Sequence, residues 1–206
     1  IMAHLACYEF TQLPIEIIDI LENDISEYNL QTDTSLLINN KENKNISNRK
    51  NAWIPESHWI AGWLWYYSQR VNRKNFCYDI LDIDNGTLQY THYGAGQFYN
   101  WHRDDDIDTM YTPEAKVMTN GNIGMDQLKI QGEMVRKLSF SLQLSAPEDY
   151  RGGELEFIDN NNKPFLAPKQ RGTMVVFDSR LRHRVRKVKS GLRKSIVGWV
   201  LGPRWK

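Results

Sequence analysis

Leu138-Ser139-Phe140-Ser141-Leu142-Gln143-Leu144 alternates apolar and polar residues without a break. Two residues is the period at which a strand sends successive side chains to opposite faces of a sheet. Outward from this stretch the same period returns in Phe76, Tyr78 and Ile80, in Leu88 and Tyr90, and from Phe98 to Asp104. It continues in Leu155 to Phe157, Met174 to Phe177, Arg184 to Val188 and Ser195 to Val200. Gly152-Gly153 and Gly172 mark tight turns between these runs. Short strands of this kind predict a mainly β protein, a double-stranded β-helix or jelly roll. Helices confined to the N-terminal third would cover it on one side, which makes the class α+β.

Those helices are read from a different period. Leu13-Pro14 followed by Ile17, Ile18, Leu21 and Ile25 predicts a helix over about 14–28. Pro55 opens a second amphipathic stretch, with Ile60, Leu64, Tyr67 and Val71 on one face. Trp59 and Trp63 on its flank are read as core packing in preference to a ligand cage. Residues 39–50, rich in Asn and Lys with almost nothing apolar, read as a loop without a functional role. Between Asp105 and Arg136, Pro113, Gly121, Gly124 and Gly132 interrupt any period, so a lid is expected over about 105–135. One domain over 1–206 is expected, with 1–75 as a helical support region and 76–206 as the core.

At 206 residues, with 41% hydrophobic and 12% aromatic side chains, the chain can bury one substantial core. Cys7 and Cys77 are too few for a disulfide framework and read as buried apolar fillers in a reducing cytoplasm. No apolar run approaches a membrane span, and no charged-then-apolar leader opens the sequence. A soluble cytoplasmic protein is therefore expected, with Ile1-Met2 set aside as preceding the natural start. The net charge of +1 hides acidic residues 1–60 and a basic run from Arg180 to Lys194. In Arg182-His183-Arg184-Val185-Arg186 alternation sends the arginines away from His183, so a solvated strand face is preferred to a polyanion-binding patch.

Chemistry concentrates in Tyr99-Asn100-Trp101-His102-Arg103-Asp104 and Ser179-Arg180-Leu181-Arg182-His183. On a strand His102 and Asp104 point to one side, and His183 on another strand can join them. Two imidazoles and one carboxylate hold a metal on one face and leave the other open, which suits non-haem Fe(II) and O₂. His4 and His58 lack comparable company, and His92, whose i+2 neighbour is Gly94, reads as a packed strand residue. Asp105, Asp106 and Asp108 lack the Gly and distal Glu of a calcium hand and read as lid-entrance or solvated charges.

The run Tyr93-Gly94-Ala95-Gly96-Gln97-Phe98-Tyr99-Asn100-Trp101-His102-Arg103-Asp104, then Arg136 to Leu144, Gly152-Gly153-Glu154-Leu155-Glu156-Phe157, and His183 through Arg193 to Trp199, resembles the Fe(II)/2-oxoglutarate oxygenases. Within them it is most similar to the prolyl 4-hydroxylase branch, including the PKHD-type bacterial hydroxylases, from about residue 86 to 203. The resemblance implies that His102, Asp104 and His183 ligate iron and that Arg193 meets the distal carboxylate of 2-oxoglutarate. A buried carboxylate needs such a partner, and a guanidinium is a forked, permanently charged donor. Ser195, on the same strand face as Arg193, adds a hydroxyl. Tyr93 and Ser139 match positions whose hydroxyls meet that same carboxylate, and Tyr99 one near the iron and co-substrate. Lys194 points outward by alternation, and Trp199 matches a packing position.

The resemblance further implies Fe(II), 2-oxoglutarate and O₂, admits ascorbate, and gives succinate and CO₂ as products beside a hydroxylated C–H bond. A proline-containing peptide or protein is the expected substrate, with a small molecule as the alternative. Nucleic acid is disfavoured, because Arg193-Lys194-Ser195-Ile196-Val197-Gly198-Trp199 lacks the Asn and second Arg of nucleic-acid dealkylases. Asp104 fills the position a halogenase leaves vacant. The non-enzymatic alternative is a jelly-roll binding module.

Overall fold

The computed structural model describes residues 8–33, 47–55, 57–84, 88–104, 134–159 and 161–205. Its N-terminal part holds β1 (Tyr8–Gln12), α1 (Ile15–Ile25), β2 (Gln31–Asp33), β3 (Ser47–Trp53), α2 (Ile60–Val71) and β4 (Asp82–Ile83). Then come β5 (Gln89–Tyr93), β6 (Phe98–His102), β7 (Met134–Gln143), β8 (Tyr150–Gly152) and β9 (Leu155–Ile158). The chain closes with β10 (Pro164–Leu166), β11 (Thr173–Asp178), β12 (His183–Val185), β13 (Val188–Gly191) and β14 (Arg193–Pro203). All strand pairings are antiparallel, and the main sheet runs β1-β11-β7-β14-β5-β3-β6-β12-β9-β10. β2 is added on β3, β4 on β14, and β8 pairs separately with β13.

The helices form because their apolar stripes find the sheet. Ile18, Leu21 and Ile25 of α1 and Ile60, Leu64 and Val71 of α2 are buried in one cluster with Leu138, Leu142, Met174, Val176, Ile196 and Val200. Trp59 and Trp63 do not join it. They stand 37% and 36% exposed, and the Trp59 indole N–H donates to Asp24 of α1 at 2.6 Å, a polar tie between the two helices. Among the described residues, no helix is long and apolar enough to cross a membrane.

Phe76, Tyr78 and Ile80 keep their apolar period but form no strand. α2 runs on through a π-helical turn over Asn72–Phe76 that ends at Cys77, with φ 53°. The Asn72 amide then takes both backbone groups of Tyr78, at 2.9 Å each, which removes the hydrogen bonds a neighbouring strand would need. Phe76 packs on the core from the end of that turn, and Tyr78 and Ile80 from the loop after it. Cys77 is exposed, not a buried filler. His4, Cys7, Asp105, Asp106, Asp108 and the lid expected over 105–135, up to residue 133, lie outside the described residues.

Two further departures bear on the site. Residues 47–50, read as part of a loop, begin β3, which pairs with β6 through Ser47 and Asn48 and with β5 through Lys50 to Trp53. In β7 the polar residues are as buried as the apolar ones they alternate with: Ser139, Ser141 and Gln143 face inward as fully as Leu138, Phe140 and Leu142. A half-solvated strand would expose its polar face. Here that face turns toward an internal site.

Candidate metal centre and its pocket

β12 pairs with β6 through His183 opposite His102 and Val185 opposite Tyr99, so β6 carries one extra residue between the two pairs. Such a bulge re-aims side chains. It brings residues three apart to one side, and the Tyr99 and His102 rings stack at 3.8 Å between centroids. Asp104 is reached differently from the sequence expectation: it lies beyond the end of β6, in a turn whose Asp104 N–H donates to the Ser179 carbonyl at 2.9 Å. His102 Nε2 lies 3.4 Å from one carboxylate oxygen of Asp104 and His183 Nε2 3.4 Å from the other.

Each imidazole is oriented from behind. His102 Nδ1 meets the Asn100 carbonyl at 2.8 Å and His183 Nδ1 the Leu181 carbonyl at 2.9 Å. A carbonyl only accepts, so in the neutral ring Nδ1 carries the proton and Nε2 presents its lone pair inward. Burial, and then the neighbouring His102, push the His183 imidazole down to about 4, which keeps it neutral and able to ligate near neutral pH. Burial opposes charge on Asp104, but the two imidazoles and the Ser139 hydroxyl outweigh it and hold its carboxyl well below the usual carboxylate range. The three ligand atoms lie within 4.8 Å of one another, a donor set that fits a divalent non-haem metal.

These side chains line a pocket with Arg49, Tyr93, Tyr99 and Arg193. Arg193, at the start of β14 opposite Tyr93, is 2% exposed and donates to the Ser195 hydroxyl at 3.0 Å. Its wall continues into buried polar side chains: the Gln143 amide donates to the Tyr150 hydroxyl at 3.0 Å, and Tyr150 also bonds Arg193. Burial raises the Tyr150 phenol, so it stays a neutral donor. The Ser139 hydroxyl lies 2.9 Å from that of Ser179 and is bonded to Asp104. Trp199 is buried under Arg136, whose guanidinium carbon is 3.8 Å from the ring centroid.

Lys194 points away, as alternation required, and pairs with Glu22 of α1. His92 lies among the strands, its ring edge-on to Tyr90 at 4.6 Å, and has no metal-binding company among the described residues. The basic strand face is not simply solvated: Arg184 and Arg186 both pair with buried Glu156, Arg184 also covers Trp101, and Arg180 pairs with Asp178.

Sequence reasoning missed Arg49 and the Gln143–Tyr150 pair. Arg49 is 6% exposed, and its Nη1 donates to the Tyr93 hydroxyl at 3.4 Å while the guanidinium carbon lies 4.7 Å from the Tyr99 ring centroid. In β3 the buried side chains Ser47, Arg49 and Asn51 alternate with exposed ones, so the period is present in burial and absent in hydropathy. The nearest sequence signal for the pair was the alternation Ser139, Ser141, Gln143.

A PKHD-type hydroxylase of Prochlorococcus marinus (strain NATL2A) is 46% identical over 113 residues, 55% of this chain and 40% of that protein. One of Hyphomonas neptunium is 48% identical over 107 residues, 52% of this chain and 39% of that protein. The chain thus matches about two fifths of the length of these relatives. In fold it is similar to a Pseudomonas putida prolyl-4-hydroxylase, with a TM-score of 0.64 at 17% identity over 97% of this chain and 94% of the other. A viral collagen prolyl hydroxylase from Paramecium Bursaria Chlorella virus-1, in its 2OG complex, gives 0.63 at 21% identity over 95% and 96%. The model of the 2OG-Fe(II) oxygenase superfamily matches residues 88–201, more than half of the sequence, and the chain belongs to that superfamily.

Proposed function

We propose that this chain is one jelly-roll oxygenase domain that uses Fe(II), 2-oxoglutarate and O₂ to hydroxylate an unactivated C–H bond, with a peptidyl proline as substrate. The observation that carries the reading is the convergence of His102, Asp104 and His183 within 4.8 Å, in one pocket with the buried Arg193. The PKHD-type relatives and the prolyl hydroxylase neighbours support the hydroxylase and peptide parts.

In this reading His102 Nε2, His183 Nε2 and the Asp104 carboxylate hold the metal by three positions and leave the rest to co-substrate and O₂. The bound metal supplies the oxidative decarboxylation of 2-oxoglutarate to succinate and CO₂ coupled to hydroxylation. The protein's own work is orientation. The Asn100 and Leu181 carbonyls fix the two imidazoles, and Ser139 holds Asp104. Arg193, steadied by Ser195 and Tyr150, receives the distal carboxylate of the co-substrate, with Tyr93 beside it. Tyr99, stacked on His102, forms the wall on the metal side. The engagement of Arg180, Arg184 and Arg186 by acidic partners weighs against nucleic acid as substrate.

The test is an anaerobic titration of metal-free protein with Fe(II) and then 2-oxoglutarate, following the visible charge-transfer band of the chelate. The band is expected in the unmutated protein and absent in His183→Ala. A band that survives this substitution removes His183 from the ligand set, and no band in either protein returns the chain to a non-catalytic binding role.

A further inference from the structure

We infer that Asp178 is a positioning residue of the metal centre: its carboxylate, clamped by Tyr78 and Arg180, fixes the turn from which both Asp104 and His183 are held. The inference rests on the metal-binding part of the oxygenase reading and adds to it a device built from residues that do not line the pocket.

The three ligands are not supported alike. His102 is oriented by Asn100, a carbonyl of its own strand. Asp104 and His183 instead depend on one short turn, residues 179–182, between β11 and β12. The Ser179 carbonyl accepts the Asp104 N–H at 2.9 Å, and the Leu181 carbonyl meets His183 Nδ1 at 2.9 Å. The Ser179 hydroxyl lies 2.9 Å from that of Ser139, which bonds the Asp104 carboxylate. Whatever fixes that turn therefore fixes two ligands of the three.

Asp178, the last residue of β11 and 1% exposed, stands at its entrance. Oδ1 accepts the Arg180 backbone N–H at 2.8 Å and the Arg180 Nε at 2.9 Å. Oδ2 accepts Arg180 Nη2 and the Tyr78 hydroxyl, both at 2.6 Å. The Asp178 carbonyl takes the Leu181 N–H at 2.9 Å. Four donors saturate a carboxylate, so the task of Asp178 is to hold the turn. An aspartate that caps its own turn is common and by itself says little. Here the cap is reinforced from 100 residues away by Tyr78, which is itself immobilised. Asn72 takes both backbone groups of Tyr78, and Trp205 packs edge-on to its ring at 4.8 Å. Burial, and then the bond to Asp178, push the Tyr78 phenol up to about 12, so it remains a donor. Trp205 also covers Arg180, whose guanidinium carbon is 3.8 Å from the ring centroid. Local capping does not call for a tyrosine from so far along the chain, whereas ligands that must be preset before the metal arrives do.

The experiment titrates the metal-free full chain with Co(II), whose visible ligand-field band follows the geometry of its donors. Unmutated protein is compared with Asp178→Asn, Tyr78→Phe and Glu156→Gln, and urea unfolding of each metal-free protein runs alongside. Glu156 is the reference because its carboxylate is equally buried and paired with arginines, Arg184 and Arg186, and not with the turn. In Asp178→Asn the half-saturating Co(II) concentration is expected to rise about tenfold, with a displaced or weakened band at saturation. Tyr78→Phe keeps the ring against Trp205 and serves if the Asn variant does not fold; a rise of about threefold is expected there. Glu156→Gln should lower the urea midpoint and leave the Co(II) affinity within about twofold. The inference is overturned if the Asp178 and Tyr78 variants lower the urea midpoint with Co(II) affinity and band unchanged, the result of a purely structural clamp. It is equally overturned if Glu156→Gln weakens Co(II) as much as Asp178→Asn does. Absence of a Co(II) band in the unmutated protein is distinguishable from both and removes the metal reading and this inference together.

Discussion

The two faces of the β7–β14 ribbon are equally dry and carry opposite chemistry. On one, Leu138, Leu142, Ile196 and Val200 pack under α1 and α2; on the other, Ser139, Ser141, Gln143, Arg193 and Ser195 are just as buried. The apolar face lowers the free energy of folding by removing hydrocarbon from water. The polar face does the reverse unless each group finds a partner, and partners are what it has: Ser139 with Ser179, Gln143 with Tyr150, Arg193 with Ser195. A buried polar ribbon is the more telling of the two, because folding alone gives no reason for it. The same contrast separates two histidines. Burial pushes His92 and His183 alike down to about 4, with a lysine, Lys194, adding to it at His92 and an imidazole at His183. Among the described residues, of the two only His183 has a carboxylate and a second imidazole converging on it. A depressed imidazole is therefore a sign of burial, and convergence is the sign of a site.

If the division holds, the faces can be damaged separately. Leu142→Ala should cost about 2–5 kcal/mol in denaturant unfolding, because a fully buried side chain leaves a cavity. Its folded fraction should still bind Fe(II) as the unmutated protein does, and a parallel loss of metal affinity would show that the faces are coupled. Two substitutions on the polar face then sharpen its internal map. Arg193→Ala should raise the 2-oxoglutarate requirement roughly 10–100-fold at saturating Fe(II). Ser139→Ala should instead weaken Fe(II) about tenfold through the lost bond to Asp104, with little change in 2-oxoglutarate binding. The opposite pattern for Ser139 would move it to the distal carboxylate.

The smallest effect is expected outside the ribbon, at Glu156. Hydrogen bonds from Arg186 and Arg184 outweigh its burial and lower its carboxyl from the ordinary 4.5. A carboxylate depressed in the folded state stabilises above its unfolded value and loses that contribution as pH falls toward the folded one. Glu156→Gln should therefore cost about 1 kcal/mol near neutral pH, since both arginines are partly exposed. The gap should close as urea unfolding is repeated below about pH 4.5. A gap that is constant with pH would assign the loss to packing.

What could be read from the sequence followed from where apolar residues sit. The two helices have hydropathy that repeats at the period of their burial, and β7 has hydropathy that alternates with the pleat even though both its faces are buried, so these elements were legible. β3 was not, because its inward residues are Ser47, Arg49 and Asn51, and polarity there marks the pocket wall. Phe76, Tyr78 and Ile80 misled for the converse reason, since Asn72 satisfies the backbone that a strand would have paired. The His102, Asp104 and His183 cluster was legible as a type and a spacing, but the sequence supplied the wrong geometry for Asp104, whose approach depends on a turn held by Ser179. Ser139 was named through the family resemblance, as a hydroxyl near the distal carboxylate. Its partner, Ser179, comes from the turn after β11, a tertiary contact that no local pattern encodes.

β3 also governs how the domain can be handled. The superfamily match covers residues 88–201, but the edges of that segment are closed by chain from before it. β1 pairs along β11, and β3 pairs along both β5 and β6. A fragment cut to the match would leave a row of unsatisfied amides and carbonyls on β11 and a second on β5 and β6. Such rows are templates for pairing with another copy, so the fragment would self-associate through its strands. The early residues act as a shield against aggregation as well as a source of Arg49.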